Sequence, residues 1–341
     1  MESELIKTEF DLTSFNTLAL PSRAQYFCKA IDQETLMRAL LFAKHRGLAI
    51  SIVASGSNVV LPEKISGMVI NPNMQGIVRK GNRLRVAAGV LWDHLVRESI
   101  YTFGLFGLEN LSGIPGTVGA APIQNIGAYG IEFADRFKAL SAIDLRTHEQ
   151  HRFDTDACQF GYRSSIFKKA LSDQFIITEV ELALVSQPVP CLDYVELEQQ
   201  VGTQKLQDYP RAVREAVLQL RQQKLPDPRH RPNVGSFFKN PVISASEYDA
   251  LVSDLGSIPG HREGDSCKVS AAWLIDQLDF KGHRVGGAQV SNQHALVLEN
   301  VGGASFSDIL TLTRKVQAAV QENYRIALEP EPVFFNPSRQ I

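Results

Sequence analysis

Gly113, Gly116, Gly119, Gly127 and Gly130 stand among uncharged side chains in the run from Leu111 to Gly130. Glycine lets backbone approach a ligand closely and lets successive N–H groups converge. The run suits a pyrophosphate held through main-chain donors, and equally a set of tight turns packed against a helix. Ser55-Gly56-Ser57-Asn58 repeats the theme after the apolar stretch Ala49 to Val53. Alone it reads as a hairpin turn; two such loops in one domain tilt the reading toward a dinucleotide. Neither is a G-x-G-x-x-G, so the ordinary nicotinamide fingerprint is absent.

Four more residues have chemistry-bearing types. Arg163 lies between aromatic and apolar neighbours in Gly161 to Lys168, as a carboxylate clamp or an ordinary surface arginine. Ser236 follows Gly235 and precedes two phenylalanines, a setting in which a serine is ordinarily a strand residue. Lys224 closes a helical pattern, where cations are favoured anyway. Glu331 lies between Pro330 and Pro332, which makes it rigid and positioned. Singly, each reads as ordinary structure.

The scaffold must hold these residues together. Glu34 to Arg46 has apolar residues at helical spacing and stops at Gly47; Trp92 to Phe103 and Tyr209 to Lys224 read likewise. Strands are expected at Ala49 to Val53, Val59 to Leu61, Arg83 to Ala87, Ala139 to Leu145, His151 to Phe153 and Phe175 to Val185. Val189 to Leu206 is polar and irregular. Beyond it, strands are expected at Gly235 to Lys239 and His294 to Glu299, and helices at Glu247 to Asp254 and Ala271 to Leu278. A long helix, Ser307 to Tyr324, has Ser307 as its expected N-cap, and a closing strand, Ile326 to Phe335, is interrupted by prolines.

The chain has 341 residues, 44% hydrophobic and 21% charged, with a formal net charge of -2. That length accommodates about two or three domains. No basic cluster points to nucleic acid. No apolar run approaches the roughly 20 residues of a membrane span, and Met1 to Phe10 lacks a secretory core. Cys28, Cys158, Cys191 and Cys267 are too far apart for a disulfide framework or a zinc site, so no metal is expected. The expectation is a cytoplasmic protein.

In combination, Leu111 to Gly130, Gly161-Tyr162-Arg163, Gly235 to Pro241 and Leu328-Glu-Pro-Glu331, in that order, closely resemble the bacterial UDP-N-acetylenolpyruvoylglucosamine reductases. The likeness runs from about Phe15 to Phe335, with Asn16-Thr17 and Asn58 also matching. It implies an α+β fold: a flavin domain of the vanillyl-alcohol oxidase (PCMH) type in two α+β subdomains, plus a C-terminal α/β substrate domain. The implied boundaries are 15–185 (subdomains about 15–70 and 71–185), 186–225 for a tyrosine loop and linking helix, and 226–341. Leu192-Asp193-Tyr194-Val195 looks like the tyrosine loop of the family's first type.

The resemblance further implies non-covalent FAD, NADPH as co-substrate, UDP-N-acetylglucosamine enolpyruvate as substrate and UDP-N-acetylmuramate as product. The setting is peptidoglycan synthesis, and with it cell shape and division; the protein is expected to be a monomer. The flavin residues are Ser55, Gly56, Ser57 and Asn58 in the first loop, and Ser112, Gly113, Pro115, Gly116, Thr117, Gly119, Ala120, Gln124, Asn125, Gly127 and Ala128 in the second. Arg163 would pair with the substrate carboxylate, Glu331 would stabilise the intermediate while carrying or sharing a proton, and Ser236 would protonate carbon. Lys224 and Asn240 would assist Ser236; Tyr162, Tyr194, Lys268 and His294 complete the substrate set. Departures are Val53-Ala54-Ser55 for a glycine-rich run, His294 where enterobacterial enzymes carry glutamine, and Pro332 after Glu331. Two alternatives compete. A related oxidase often holds flavin through histidine or cysteine, and the glycine-rich loop has neither. A sugar-nucleotide-binding protein without catalysis would not need Arg163, Ser236 and Glu331.

Overall fold

The computed structural model describes residues 5–335. Near the amino terminus, β1 (Ile6–Asp11), β2 (Arg23–Ala30), β3 (Ile50–Ile52) and β5 (Lys64–Pro72) form a sheet in the order β1-β2-β5-β3. β5 runs parallel to β2 and β3, while β1 closes the edge antiparallel. The sheet therefore begins at Ile6, ahead of the boundary expected at residue 15. Helix α1 (Gln33–His45) buries Leu36, Ala39, Leu40 and Ala43, one face at helical spacing. Asp32 caps it reciprocally with Thr35, an arrangement whose loss costs about 1 kcal/mol.

The second subdomain is an antiparallel sheet of β6 (Ile77–Lys80), β7 (Arg83–Ala87), β8 (Phe137–Asp144), β9 (Gln150–Asp154) and β10 (Phe175–Ala183), ordered β9-β8-β10-β7-β6. Helix α2 (Trp92–Tyr101) covers it through Trp92, Leu95 and Val96. Ile143, Leu145 and Ile176 pack with Met68 and Ile70, so the two sheets share one core. The glycine-rich run between α2 and β8 forms short 3-10 turns and a two-residue hairpin.

Val189 to Leu206 is not wholly irregular. It holds α3 (Val195–Val201), whose Leu197 and Val201 pack on Val213, Val217 and Leu220 of α4 (Tyr209–Lys224). Two apolar anchors one turn apart suffice once α4 offers a face.

The C-terminal unit has two antiparallel sheets. One contains β11 (Asn233–Ser236), β15 (Arg284–Val285), β16 (Ala288–Val290) and β17 (Val297–Asn300), ordered β11-β17-β16-β15. The other contains β12 (Val242–Ser244), β13 (Gly260–Glu263) and β14 (Ser266–Val269), ordered β12-β14-β13. The strands expected at Gly235 to Lys239 and His294 to Glu299 are thus displaced toward Asn233 and Asn300. Helices α5 (Ala245–Leu255), α6 (Ala271–Asp276) and α7 (Phe306–Tyr324) complete the unit. The N-cap of α7 is Ser305, paired with Asp308 in a capping box, and Ser307 lies inside the helix. The closing strand shrinks to β18 (Val333–Phe334), because Pro330 and Pro332 remove two ladder donors. β18 pairs in parallel with β4 (Val59–Val60) of the first subdomain. Leu18, Leu20 and Val60 share a core with Phe237, Phe238 and Leu298. Asn300 donates to Leu18 O at 2.9 Å across the same boundary. No helix of the described residues is long and apolar enough to cross a membrane.

Candidate active site

The segment after α7 is clasped from two sides. Lys239 N donates to Glu329 O at 2.9 Å and Glu331 N to Phe237 O at 2.8 Å; then Val333 N donates to Asn58 O at 3.0 Å. Glu331 is thereby fixed between the C-terminal unit and the first small-residue loop. Its Oε1 lies 3.3 Å from Arg163 Nε and accepts from Gln124 Nε2 at 3.2 Å. Arg163 adopts a left-handed φ of 51° and donates from Nη2 to Gly127 O at 2.7 Å. The arginine is oriented at both ends of its fork.

These groups line a cavity of about 1010 Å³. Ser55, Gly56, Ser57 and Asn58 line it from one loop, and Pro115, Gly116, Thr117, Gly119, Ala120, Gln124 and Gly127 from the other. Arg163, Ser236 and Glu331 share it. The main-chain N–H groups of Gly56, Ser57, Asn58, Gly116 and Thr117 find no acceptor among the described residues. Thr117 Oγ1 is buried and equally unpartnered. Buried polar groups ordinarily have partners, so this set calls for an acceptor from outside the chain. A dinucleotide pyrophosphate fits it: residues with unpartnered neutral donors, from two glycine-bearing loops, line one space.

Other residues expected at the cofactor do not line the cavity. Ser112 Oγ donates to Glu109 O at 2.6 Å, and Gly113 N donates to Asp93 Oδ1 at 2.6 Å. Arg214 clamps that same carboxylate from two nitrogens at 2.6 and 2.8 Å. Burial opposes ionisation of Asp93, yet the bonds from Arg214 and Gly113 carry its pKa below the ordinary value. Buried Asn125, at φ 47°, accepts from Ala134 N at 2.9 Å and donates to Glu132 at 2.6 Å. Ala128 pairs with Ile131 in the small hairpin. These residues shape the loop from within. Gly119 also serves packing: a Cβ there would lie 2.5 Å from Ala88 Cβ.

The substrate set forms an outer group. Lys268 Nζ lies 4.5 Å from the centre of the Tyr162 ring, and Arg163 stacks on that ring at 5.4 Å. Burial raises the Tyr162 phenol above its usual pKa. Tyr194 precedes α3, is 54% exposed and meets Tyr129 edge-on. No hydrogen bond joins Lys224 or Asn240 to Ser236 among the described residues, and each has another partner. Lys224 pairs with Glu196 of α3, and Asn240 Oδ1 accepts from Ala271 N at 3.0 Å. His294 Nδ1 accepts from Leu296 N at 3.2 Å; burial, with Lys281 and Lys224 nearby, lowers its pKa.

Three cavity cations were not expected: Lys168, Lys169 and Arg221. Lys168 closes the Gly161 segment, and burial, with Lys239 nearby, lowers its pKa. Arg221 lies on α4, its pKa also lowered by burial, and its guanidinium has no hydrogen-bond partner among the described residues. Arg221 falls one turn before Lys224, on the adjoining helix face, which was the available signal. Among the described residues, no cluster of His, Cys, Asp or Glu could hold a metal ion.

Known proteins match both parts of the chain. Residues 24–153 match the model of an FAD binding domain, and residues 227–335 match that of the UDP-N-acetylenolpyruvoylglucosamine reductase C-terminal domain. The reductase of Paraburkholderia phytofirmans is 40% identical over 333 residues, covering 95% of this chain and 96% of that protein. The Bordetella pertussis reductase is 40% identical, over 95% and 93% of the two chains. The crystal structure of the Thermus caldophilus reductase superposes with a TM-score of 0.68 at 26% identity, covering 97% and 98%. 6-Hydroxy-D-nicotine oxidase from Arthrobacter nicotinovorans shares the fold, with a TM-score of 0.51 at 14% identity over 93% and 85%.

Proposed function

The chain belongs to the UDP-N-acetylenolpyruvoylglucosamine reductase family and is an FAD-dependent oxidoreductase with that activity; from this premise we propose which residues perform the reaction, with NADPH as the reductant. FAD, when bound, supplies the hydride chemistry. The unpartnered N–H groups of Gly56, Ser57, Asn58, Gly116 and Thr117 hold its pyrophosphate, with no basic side chain needed in either loop.

Reduction of the enolpyruvyl ether builds negative charge at the α carbon and into its carboxylate. Arg163 is aimed for that charge, since its bonds to Gly127 and Glu331 fix the guanidinium before substrate arrives. Preorganised donors of this kind are worth about 2.7–4 kcal/mol each in acyl-transfer sites, which sets the expected scale. Glu331 stabilises the same charge by carrying or sharing a proton. Ser236, whose hydroxyl bonds no described residue, delivers the proton to the α carbon. Lys268 and Tyr162 receive the nucleotide, and Tyr194 with α3 closes over it. The product is UDP-N-acetylmuramate, a peptidoglycan precursor serving cell shape and division, made by a cytoplasmic monomer.

The observation that carries this reading is one cavity holding both the unpartnered loop donors and Arg163, Ser236 and Glu331. The purified protein is expected to be yellow and to release FAD on acid treatment. Anaerobic NADPH should bleach it, and the enolpyruvyl nucleotide should restore the colour with one product formed per flavin. A colourless protein that cannot be reconstituted with FAD would overturn the reading.

A further inference from the structure

Asn58, Gln124, Lys168 and Glu331 come from four separate segments and meet in one hydrogen-bonded knot. Asn58 Nδ2 donates to Glu331 O at 3.3 Å and to Gln124 Oε1 at 2.7 Å. Lys168 Nζ donates to the same two oxygens, at 3.3 and 3.5 Å. Gln124 Nε2 then donates to Glu331 Oε1 at 3.2 Å. Amide orientations are open to flipping in general, so the direction of such a chain needs unambiguous ends. Here both exist. A main-chain carbonyl only accepts, which turns the Asn58 nitrogen toward it. An ammonium only donates, so Gln124 must offer Lys168 and Asn58 its oxygen. Its N–H must therefore face the carboxylate.

We propose that Lys168, with Asn58, is a positioning residue for the reduction: it locks the Gln124 amide so that Gln124 and Arg163 both occupy Glu331 Oε1, leaving Oε2 as the oxygen that exchanges a proton. The proposal rests on the role given above to Glu331. Oε1 receives Arg163 Nε and Gln124 Nε2, whereas Oε2 has no partner among the described residues. A half-buried lysine is costly to place in a cavity wall unless it does something there. Lys168 spends its donors on one carbonyl and one amide oxygen and pairs with no carboxylate. It orients a neighbour and neutralises no charge by direct contact.

The test uses the FAD-loaded enzyme, reduced with dithionite and mixed with the enolpyruvyl nucleotide, so that NADPH plays no part. Lys168→Met should slow flavin reoxidation by about tenfold or more while substrate affinity changes less than about threefold. It should also displace the pH profile of that step. Lys168→Arg, which keeps donor-only chemistry, should recover most of the rate. In a Glu331→Gln background, itself slow, Lys168→Met should add less than about threefold. Equal, multiplicative losses in both backgrounds, with an unmoved pH profile, overturn the proposal and leave the role of Glu331 standing. A Glu331→Gln enzyme that reoxidises normally overturns that role instead. If Lys168→Met fails to retain flavin, Asn58→Ser in the same cycle decides the question by the same non-additivity.

Discussion

Val333 runs parallel to Val59, and this short pairing carries the Glu331 carboxylate into the cavity lined by the two small-residue loops. Glu331, two residues upstream, also takes the main-chain oxygen of Phe237 as acceptor, beside Ser236. Glu331 and the Ser236 segment are thus referenced to each other through backbone, and Arg163 joins them through its side-chain contact with Glu331. Backbone thus sets the spacing of Glu331 from the Ser236 segment, which matters where small misplacements cost rate heavily.

Ser236→Ala is expected to separate the two halves of the reaction. Flavin reduction by NADPH should stay near normal, and reoxidation by the enolpyruvyl nucleotide should slow by about 10²-fold or more, the scale of a lost general acid. Stopped-flow absorbance of the flavin reads both. Equal losses in the two halves would show that Ser236 shapes a shared site instead of supplying a proton.

Gly119→Ala should lower stability. Its Cβ would meet Ala88 Cβ at 2.5 Å and Ala88 Cα at 3.1 Å, so main chain must move. Overpacking of this kind costs about 1–3 kcal/mol. Gly161→Ala, where a Cβ meets nothing within 4 Å, should stay within about 0.5 kcal/mol of the native protein. Thermal unfolding of both variants checks the contrast; a Gly119→Ala protein as stable as native but short of flavin would assign Gly119 to the ligand.

Much of this was legible in the sequence where local pattern decides structure. The spacing of Leu36, Ala39, Leu40 and Ala43 marks a helix, and the two small-residue loops stand out by composition. β5 escaped notice because it is buried on both faces over Met68 to Pro72 and lacks alternation. Which loop residues face the cavity was not legible. Asn125 and Ser112 differ from Gln124 and Thr117 only in where their bonds go. Lys168 gained its part from Glu331, a neighbour only through the pairing of β18 with β4.

His294 should make stability depend on pH near neutrality. Burial, reinforced by Lys281 and Lys224, holds its pKa below the unfolded value of 6.5. Between the folded and unfolded values the unfolded chain binds more protons, so stability rises with pH across that window. It is complete above pH 6.5 and declines as pH falls toward the lowered folded value. His294→Gln should remove this contribution, so that urea midpoints at pH 5.5 and 8 differ less than in the native protein. An unchanged difference would place the titration elsewhere.

Cys191 should report closure of the tyrosine segment. Burial pushes the thiol of Cys28 up to about 11 and that of Cys158 up to about 12, and Cys267 is buried as well. Cys191 is the partly exposed thiol, with Sγ 3.5 Å from the Asp193 carboxylate. Burial and that carboxylate raise its pKa, so it should label slowly but ahead of the other three at pH 8. Tyr194 stands three residues on, rests on Tyr129 and leads into α3. If α3 and Tyr194 close over the sugar nucleotide, the oxidised enzyme with the enolpyruvyl nucleotide should label more slowly than the enzyme alone, and NADPH should protect less. Tyr194→Phe loses one hydroxyl contact, worth about 0.5–1.5 kcal/mol, and should weaken nucleotide binding by roughly three- to tenfold. It should raise the nucleotide concentration needed for protection by the same factor. Labelling of Cys191 that ignores the nucleotide, with unchanged affinity in Tyr194→Phe, would confine Tyr194 to its packing against Tyr129.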